Sequence, residues 1–299
     1  MYEPGSDDHN TELGAARSCA QMELQIDHVT VAGRNLDRLV DAFDAAGFDV
    51  AYGGRHSNGV THMAIVGFRD GTYLELISTL DPDTTSPWWN DPIHHDGGPC
   101  AWAIDVDDIE TATDTLADRG ITVDGPTAYR RTREDDALVE WDLTALGSGD
   151  PGSLLPFLIS DRTPRSRRVT PTEATPSTPI RGVDTVVLGV RDVEDAIDRV
   201  GTAVDVGTPR WGESTVLGAQ IASPPDRPVA FAEPQGDGWL AERLETFGPR
   251  PVGYLLGHDG GDRSRFGARS TETLCGRSVE WLSVTAPTDH RYLGLVADR

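Results

Sequence analysis

Apolar and polar residues alternate along several short stretches of the chain, and each stretch is followed by apolar residues at helical spacing. Residues 24–33 (LQIDHVTVAG) are typical of a strand, because Val29 and Val31 alternate with His28 and Thr30. Successive side chains of a strand point to opposite faces of the sheet. The pattern therefore puts His28 and Thr30 on the face opposite the apolar one.

A helix and a set of short strands follow this first strand. Asn35 is a good helix N-cap, and apolar residues follow it at helical spacing until Gly47 ends the helix. Asp70-Gly71 is a hairpin signal between two apolar runs. The predicted strands cover residues 48–52, 61–68 and 72–79. Together these elements predict one strand–helix–three-strand unit, βαβββ.

The strand, cap and helix pattern occurs three more times. It begins again at Trp102 with Asp108 as the cap, and at Val186 with Asp192 as the cap. A fourth copy starts at Val252, where glycines interrupt the helical stretch. Short strings recur in corresponding places: YLEL at 73–76 and YLGL at 292–295, and VEW at 139–141 and 279–281. The sequence therefore predicts an α+β fold of four βαβββ modules that pair into two domains.

Composition divides the chain into four predicted parts. The first residues lack the basic-then-apolar order of a signal peptide, and the start of the protein is either Met1 or Met22. A stretch rich in Pro, Thr, Ser and Arg separates the two halves and is typical of a solvated tether, with a docking peptide as the alternative. The predicted parts are an N-terminal extension at 1–21 that is either disordered or untranslated, a first domain at 22–160, a linker at 161–180 and a second, degenerate domain at 181–299.

The charge excludes several functions. All 26 basic residues are Arg and face 49 Asp and Glu, so the formal net charge is −23, which repels phosphate backbones and argues against nucleic-acid binding. No apolar run is long enough to span a membrane. Abundant Asp without Lys resembles proteins of salt-loving archaea, and the lack of Lys excludes Schiff-base chemistry. Cys19, Cys100 and Cys275 form no disulfide framework, which predicts a cytoplasmic protein.

Four segments of the first half carry a family resemblance. They are IDHV at 26–29, GGRHSNGVTH at 53–62, DGTYLELI at 70–77 and LLPFLI at 154–159. Together they resemble the vicinal oxygen chelate superfamily, in its glyoxalase-like branch, clearly over 24–160 and more faintly over 181–299. The resemblance implies the glyoxalase/bleomycin-resistance/dioxygenase-like fold, in which two modules surround an open cup that holds a small-molecule substrate. In metal-dependent members, His and Glu from the first and last strands of each module bind a divalent ion.

His28 and Glu75 match that pattern in the first unit. Glu75 is therefore the candidate catalytic residue, and the pair are the candidate ligands of a divalent metal such as Mn, Fe, Ni or Zn. If Asp70-Gly71 is a two-residue loop, Val66 pairs opposite Glu75, and His62 lies on the same face roughly 13 Å away at ~3.3 Å per residue. The candidate substrate-binding residues are Arg55, His56, His62 and Trp102.

The other units lack these ligands, which leaves two functions open. The corresponding residues are Ala101 and Phe157 in the second unit, Thr185 and about Ala232 in the third, and about Gly253 and Gly294 in the fourth. Open catalytic metal sites usually have three protein ligands. One reading is a metal-dependent lyase, isomerase or dioxygenase that acts on a small oxygenated metabolite through His28 and Glu75. The other is a metal-free protein of the resistance or sequestration type, which binds a small molecule without cofactor or catalysis. The sequence does not predict the oligomeric state.

Overall fold

Two eight-stranded mixed sheets, one in each half of the chain, form the framework of the molecule. The computed structural model describes residues 24–133, 135–169, 178–267 and 269–298. The extension predicted for 1–21 lies outside these residues. The first sheet ends at Asp161 and the second begins at Ile180. The boundaries at 160 and 181 remain our proposed domain boundaries.

The first half contains eight strands and four helices within the described residues. They are β1 (Gln25–Ala32), α1 (Leu36–Ala45), β2 (Ala51–Arg55), β3 (Thr61–Gly67), β4 (Tyr73–Thr79), α2 (Asn90–His94), β5 (Gly98–Asp105), α3 (Ile109–Asp118), β6 (Val123–Thr132), β7 (Leu138–Leu146), β8 (Phe157–Asp161) and α4 (Arg165–Arg168). The strand order is β2-β3-β4-β1-β5-β8-β7-β6. The first strands of the two modules, β1 and β5, thus pair antiparallel at the centre of the sheet.

The second half repeats this arrangement. Its elements are β9 (Ile180–Gly189), α5 (Val193–Ala203), β10 (Arg210–Ser214), β11 (Ala219–Ser223), β12 (Val229–Pro234), α6 (Trp239–Phe247), β13 (Arg250–His258), β14 (Arg269–Leu274), β15 (Arg277–Leu282) and β16 (Leu293–Ala297). The order β10-β11-β12-β9-β13-β16-β15-β14 matches that of the first sheet. The predicted α+β fold of paired βαβββ modules is confirmed. The degraded helix of the fourth unit is absent from the described residues between β13 and β14.

The predicted caps begin three of the helices. The side chains of Asn35, Asp108 and Asp192 each accept a hydrogen bond from a backbone N–H three residues later. A short polar side chain at this position satisfies one of the free N–H groups of the first helical turn. Each cap therefore fixes where its helix starts, and the apolar stripe that follows packs against the sheet.

The helix-side faces of the two sheets share one hydrophobic core. It joins Val29 and Leu74 of the first half to Val186 and Leu256 of the second. Tyr254 of β13 is fully buried in this core, and its hydroxyl lies 2.7 Å from the carbonyl oxygen of Thr30 and 2.9 Å from that of Ala101. The pairing of β1 with β5 is irregular at this point. The hydroxyl of Tyr254 therefore supplies a hydrogen-bond donor to backbone carbonyl oxygens at the irregular point of the strand pairing.

The concave face of the second sheet is filled by its own side chains. Trp281 is fully buried there, beneath apolar residues of α6. Gly294 occupies the position of the Glu, and a Cβ on it would lie 2.7 Å from Val279 and 2.8 Å from Leu255. The register also corrects the third unit, because Ala230 rather than Ala232 is the residue equivalent to Glu75. A side chain at residue 294 would therefore have to displace Val279 or Leu255, and the second half is packed with side chains where the first half has a cavity.

The acidic surface predicts a dependence of stability on salt. At a net charge of −23, repulsion between carboxylates opposes folding in dilute buffer. At 1 M salt the Debye length falls to about 3 Å, which screens this repulsion. We expect the melting temperature to rise steeply between dilute buffer and molar KCl. Thermal unfolding followed by circular dichroism at both salts measures it, and equal melting temperatures would contradict the prediction.

Membrane-spanning segments were searched for in the described part of the chain. None of its helices combines the length and the apolar character needed to cross a bilayer.

Candidate functional site

The concave face of the first sheet carries a cavity that opens to solvent, and the space within it, including part of the adjoining solvent, is about 770 Å³. Six aromatic residues contribute to its lining: Tyr73, Trp88, Trp89, Tyr129, Trp141 and Phe157. Its principal polar side chains are His28, His56, Asn58, Thr61, Glu75, Arg131 and Arg168. A largely apolar cavity with a few polar groups gathered together is typical of a small-molecule site.

The strand pattern correctly predicted which side chains face this cavity from β1 and β4. Val29 and Leu74 are part of the core on the helix side. His28 and Glu75, on the alternate positions, line the cavity. The parallel register puts Thr30 directly beside Glu75. The first strand of the fold and the fourth therefore bring their polar residues to one place.

The predicted pairing of β3 with β4 is wrong by one residue. Glu75 pairs with Ile65 rather than Val66, because the loop has three residues, with the left-handed Gly71 as its last. A one-residue slip turns every side chain of a strand to the other face. His62 therefore lies opposite Ser78, away from the cavity, and Arg55, its partner on β2, shares that face. Neither residue lines the cavity.

Trp102 also lies elsewhere than the predicted substrate site. Its side chain is fully buried in the helix-side core, and its indole N–H donates to the carbonyl oxygen of Leu154 at 3.3 Å. The neighbouring Ala101 and Ala103 face the cavity side of β5 instead. Trp102 thus stabilises the sheet from behind, and it has no surface toward the cavity.

His56, in contrast, lies at the centre of the site. Glu75 stands between two imidazoles: His28 Nε2 is 3.6 Å from Glu75 Oε2, and His56 Nε2 is 3.4 Å from Glu75 Oε1. Thr30 donates its hydroxyl hydrogen to Glu75 Oε2 at 3.1 Å, and Thr61 Oγ1 lies 2.8 Å from His56 Nδ1. Three of the predicted site residues therefore form one cluster, in which His28 and Glu75 are buried and His56 is half-buried, and which we call the His28–Glu75–His56 group.

Asp27 orients His28 from the side away from the cavity. Its carboxylate oxygen lies 2.5 Å from His28 Nδ1, and its side chain is fully buried. A β-bulge between Ile26 and His28 leaves Asp27 as the unpaired residue of β1. Such bulges redirect side chains next to functional sites. Because an ionised carboxylate only accepts hydrogen bonds, the proton lies on Nδ1 and Nε2 faces Glu75.

Two arginines from the predicted linker hold Asp27. Arg168 Nη1 and Nη2 donate to the two Asp27 oxygens at 2.7 and 2.6 Å, and Arg168 also donates to both oxygens of Asp161. Arg165 donates to Asp27 as well. Arg168 is only 3 % exposed. This part of the stretch is therefore a short helix packed against the site and not a solvated tether, while residues 170–177 lie outside the described ones.

The pKa values of both carboxyls are lowered. Burial raises the pKa of Asp27, but the adjoining Arg168 and His28 outweigh it and hold that pKa well below its usual range. Burial likewise raises the pKa of Glu75, and contacts with His56, His28 and Thr30 outweigh it. Both groups are thus ionised at neutral pH in the absence of a ligand.

The depressed pKa of Asp27 predicts how stability falls in acid. A carboxyl with a folded-state pKa below its unfolded value contributes stability above about pH 4, and that contribution is lost as the pH falls through the folded-state pKa. We expect Asp27→Asn to be less stable than the wild type at pH 7 and to lose stability less steeply below pH ~4. Urea unfolding across pH measures this, with the exposed Asp289→Asn as control. Parallel curves for the wild type and Asp27→Asn would contradict it.

The residues present form an incomplete donor set for a divalent metal. The described residues contain no group of three or more His, Cys, Asp or Glu side chains arranged to hold a metal ion. The strand register places Ala101 and Phe157 at the positions equivalent to His28 and Glu75 in the second module, and neither has a side-chain donor. His28 and Glu75 supply two ligands, one fewer than open catalytic sites usually have, and His56 is not arranged with them so that the three could hold an ion.

Sequence reasoning missed most of the residues around the His28–Glu75–His56 group. Asp27 was one residue from His28 and its equivalent, Asp184, recurs in the third unit, where it binds Arg277. That repetition of an acid inside an apolar strand was a usable signal. Tyr129 and Arg131 had none, because β6 is too polar and exposed to predict its faces.

Comparison with known proteins agrees with this description. The family model of the glyoxalase-like domain matches residues 26–204. A hypothetical protein from Staphylococcus aureus superimposes with a TM-score of 0.61 at 14% identity, covering 92% of this chain and 100% of that one. A variant of 4-hydroxymandelate synthase from Streptomyces coelicolor gives 0.59 at 15%, covering 92% of each chain. Methylmalonyl-CoA epimerase from the same organism gives 0.35 at 18%, covering 47% of this chain and 100% of its own. No curated protein sequence matches the chain.

Proposed function

Because the chain belongs to the glyoxalase-like domain family, within the vicinal oxygen chelate superfamily, we propose that its first half binds a small oxygenated metabolite and moves a proton on it. The observation that carries this proposal is the Glu75 carboxylate, buried between two imidazoles at 3.6 and 3.4 Å on the floor of an aromatic cavity. A carboxylate in such a position costs free energy unless partnered, and its partners here are groups that exchange protons.

Glu75 is the proposed base. It is the only member of the group that contacts both imidazoles, so a proton taken from a bound molecule can pass to either side. Asp27 fixes the ring of His28 with Nε2 toward Glu75, as the buried carboxylate of a catalytic triad fixes its histidine. Removal and return of a proton is the step that isomerases and many lyases share. The proposal therefore favours these two classes over a dioxygenase.

Binding without catalysis is the second candidate function. The two positions of the second module that are equivalent to His28 and Glu75 are occupied by Ala101 and Phe157, so at these positions the module offers only apolar surface. A sequestration protein needs such a surface and a polar anchor, but no proton transfer. The two candidates differ in what Glu75 does, and a measurement of proton exchange separates them.

The test measures exchange of carbon-bound hydrogen with solvent. A panel of small 2-oxo and 2-hydroxy compounds is incubated with the protein in D₂O and KCl, and proton NMR follows the loss of the α-hydrogen signal. We expect exchange with the wild type, and a loss of about 10²- to 10⁴-fold in Glu75→Gln. Glu245→Gln, at an exposed position of α6, is the control and should behave as the wild type. Binding without exchange would favour sequestration.

Metal content of the same preparations tests the predicted metal pair. Elemental analysis is applied to the wild type, His28→Ala and Glu75→Gln, all purified in high salt. Stoichiometric Mn, Fe, Ni or Zn that both substitutions remove would establish His28 and Glu75 as ligands. Because the donor set is incomplete, we expect substoichiometric metal in the wild type and no difference between the variants.

A further inference from the structure

Arg131 is a buried cation in the cavity of the first half. It is 3 % exposed and lines the cavity from β6. Within the described residues, no carboxylate lies at ion-pair distance from it, although Arg165 and Arg168 nearby both have acidic partners. A buried charge without a counter-charge is costly, and such groups are normally paired. The cavity thus retains a guanidinium whose charge the described protein residues leave unpaired.

Backbone contacts hold this guanidinium in a fixed direction. Arg131 Nη2 donates to the carbonyl oxygen of Arg168 at 2.8 Å, and Nη1 donates to that of Gly53. Its Nε is buried and has no hydrogen-bond partner. Two carbonyls satisfy only part of the five donors of an arginine and supply no negative charge. A preorganised donor of this kind suits a carboxylate, which it can bind without first becoming ordered.

An aromatic surface lies one step along the same face of the sheet. Tyr129 precedes Arg131 by two residues on β6, a separation of roughly 7 Å along a strand. Its ring is 6.3 Å from that of Trp141 and nearly parallel to it, and 5.5 Å from that of Trp88. All three rings are half-buried at the cavity. Partly exposed, clustered rings of this kind offer a planar apolar group a place to stack.

From these two features we infer that the ligand is a small aromatic carboxylate, with its ring against Trp88, Tyr129 and Trp141 and its carboxylate on Arg131. The inference rests on the proposed function, since it names the substrate class of the same cavity. It also explains how an anion can approach Glu75, because Arg131 supplies a fixed positive charge there.

The experiment compares three probes with the intact protein at one KCl concentration, so that chloride competes equally. Phenylacetate carries ring and charge, phenylacetamide carries the ring alone, and acetate carries the charge alone. Binding is followed by quenching of tryptophan fluorescence and by isothermal titration calorimetry. We expect phenylacetate to bind at least tenfold more tightly than either of the others. Arg131→Gln should weaken phenylacetate about 10- to 100-fold and leave phenylacetamide unchanged.

Matched variants keep the outcome interpretable. Arg210→Gln, at an exposed position of the second sheet, should bind as the wild type does, and the melting temperature of Arg131→Gln reports whether loss of its contact with Gly53 unfolds the protein. Should that variant fail to fold, the three-probe comparison on the wild type still decides. Equal affinity for phenylacetate and phenylacetamide would overturn the inference while leaving the proposed small-molecule site intact. Absence of binding by all three probes would overturn the inference and remove support from the proposed function as well.

Discussion

Arg168→Met is expected to lower the free energy of unfolding by about 3–5 kcal/mol, the cost of removing one partner from a buried ion pair. Its guanidinium makes four hydrogen bonds of 2.6 to 3.0 Å to the carboxylates of Asp27 and Asp161. Asp27 is fully buried and would keep only Arg165 and His28. Denaturant unfolding in molar KCl measures the change.

A second arginine of the same segment is the control. Arg162 also pairs with an aspartate, at 2.6 Å from Asp142, but its side chain is 53 % exposed. Arg162→Met should change stability far less than Arg168→Met does, because exposed ion pairs contribute little. The double variant Arg168→Met/Asp27→Asn should recover part of the loss, because it removes the stranded charge. A cost for Arg168→Met no larger than that for Arg162→Met would contradict the prediction.

Trp281→Ala is expected to destabilise the protein by about 3–5 kcal/mol, the range for removing a large aromatic side chain from a core. Trp281 is fully buried on the concave face of the second sheet, and its indole N–H donates to Glu272 Oε1 at 2.6 Å. The substitution would leave a void between β15 and α6 and remove one of the two donors to Glu272 Oε1, the other being the hydroxyl of Ser214. Denaturant unfolding of the intact chain measures the effect.

Trp211 provides the matched comparison in the same half. It is 49 % exposed on β10, and Trp211→Ala should cost less than about 1 kcal/mol because little area is buried there. Similar losses of unfolding free energy for the two substitutions would show that the concave face of the second sheet is not a packed core. Neither residue lines the cavity of the first sheet, so both substitutions report on the packing of the second half alone.

Local patterns in the sequence carried the fold. Helix starts were predicted at Asn35, Asp108 and Asp192, because a cap needs only its own residue and the next turn. Strand alternation gave the correct face for His28 and Glu75. The same reasoning failed for His62, where one additional loop residue, Arg69, reversed the face of β3. The length of a turn is the weakest link in such a derivation.

The surroundings of the site were not predictable from local patterns. Arg168 lies 141 residues from Asp27, and its Pro- and Ser-rich neighbourhood is typical of a linker. Composition predicts the average behaviour of a segment, whereas the contacts of one side chain, Arg168, hold this segment against Asp27. The prediction that Trp102 binds substrate was wrong for a different reason: an aromatic residue in a strand suits either face of the sheet, and Trp102 faces the helix-side core. Contacts between residues that are distant in the chain depend on tertiary packing, so they cannot be predicted until the fold is known.

The hydroxyl of Tyr254 connects the second half of the chain to the candidate site in the first half. It lies within hydrogen-bond distance of the main-chain oxygen of Thr30, whose side chain contacts Glu75. The second half, whose own concave face is filled by apolar side chains, thus supports the central strands of the first half. Residues 22–160 expressed alone would therefore retain His28, His56 and Glu75, but they would lose the contact of Tyr254 with Thr30 and the two arginines that hold Asp27.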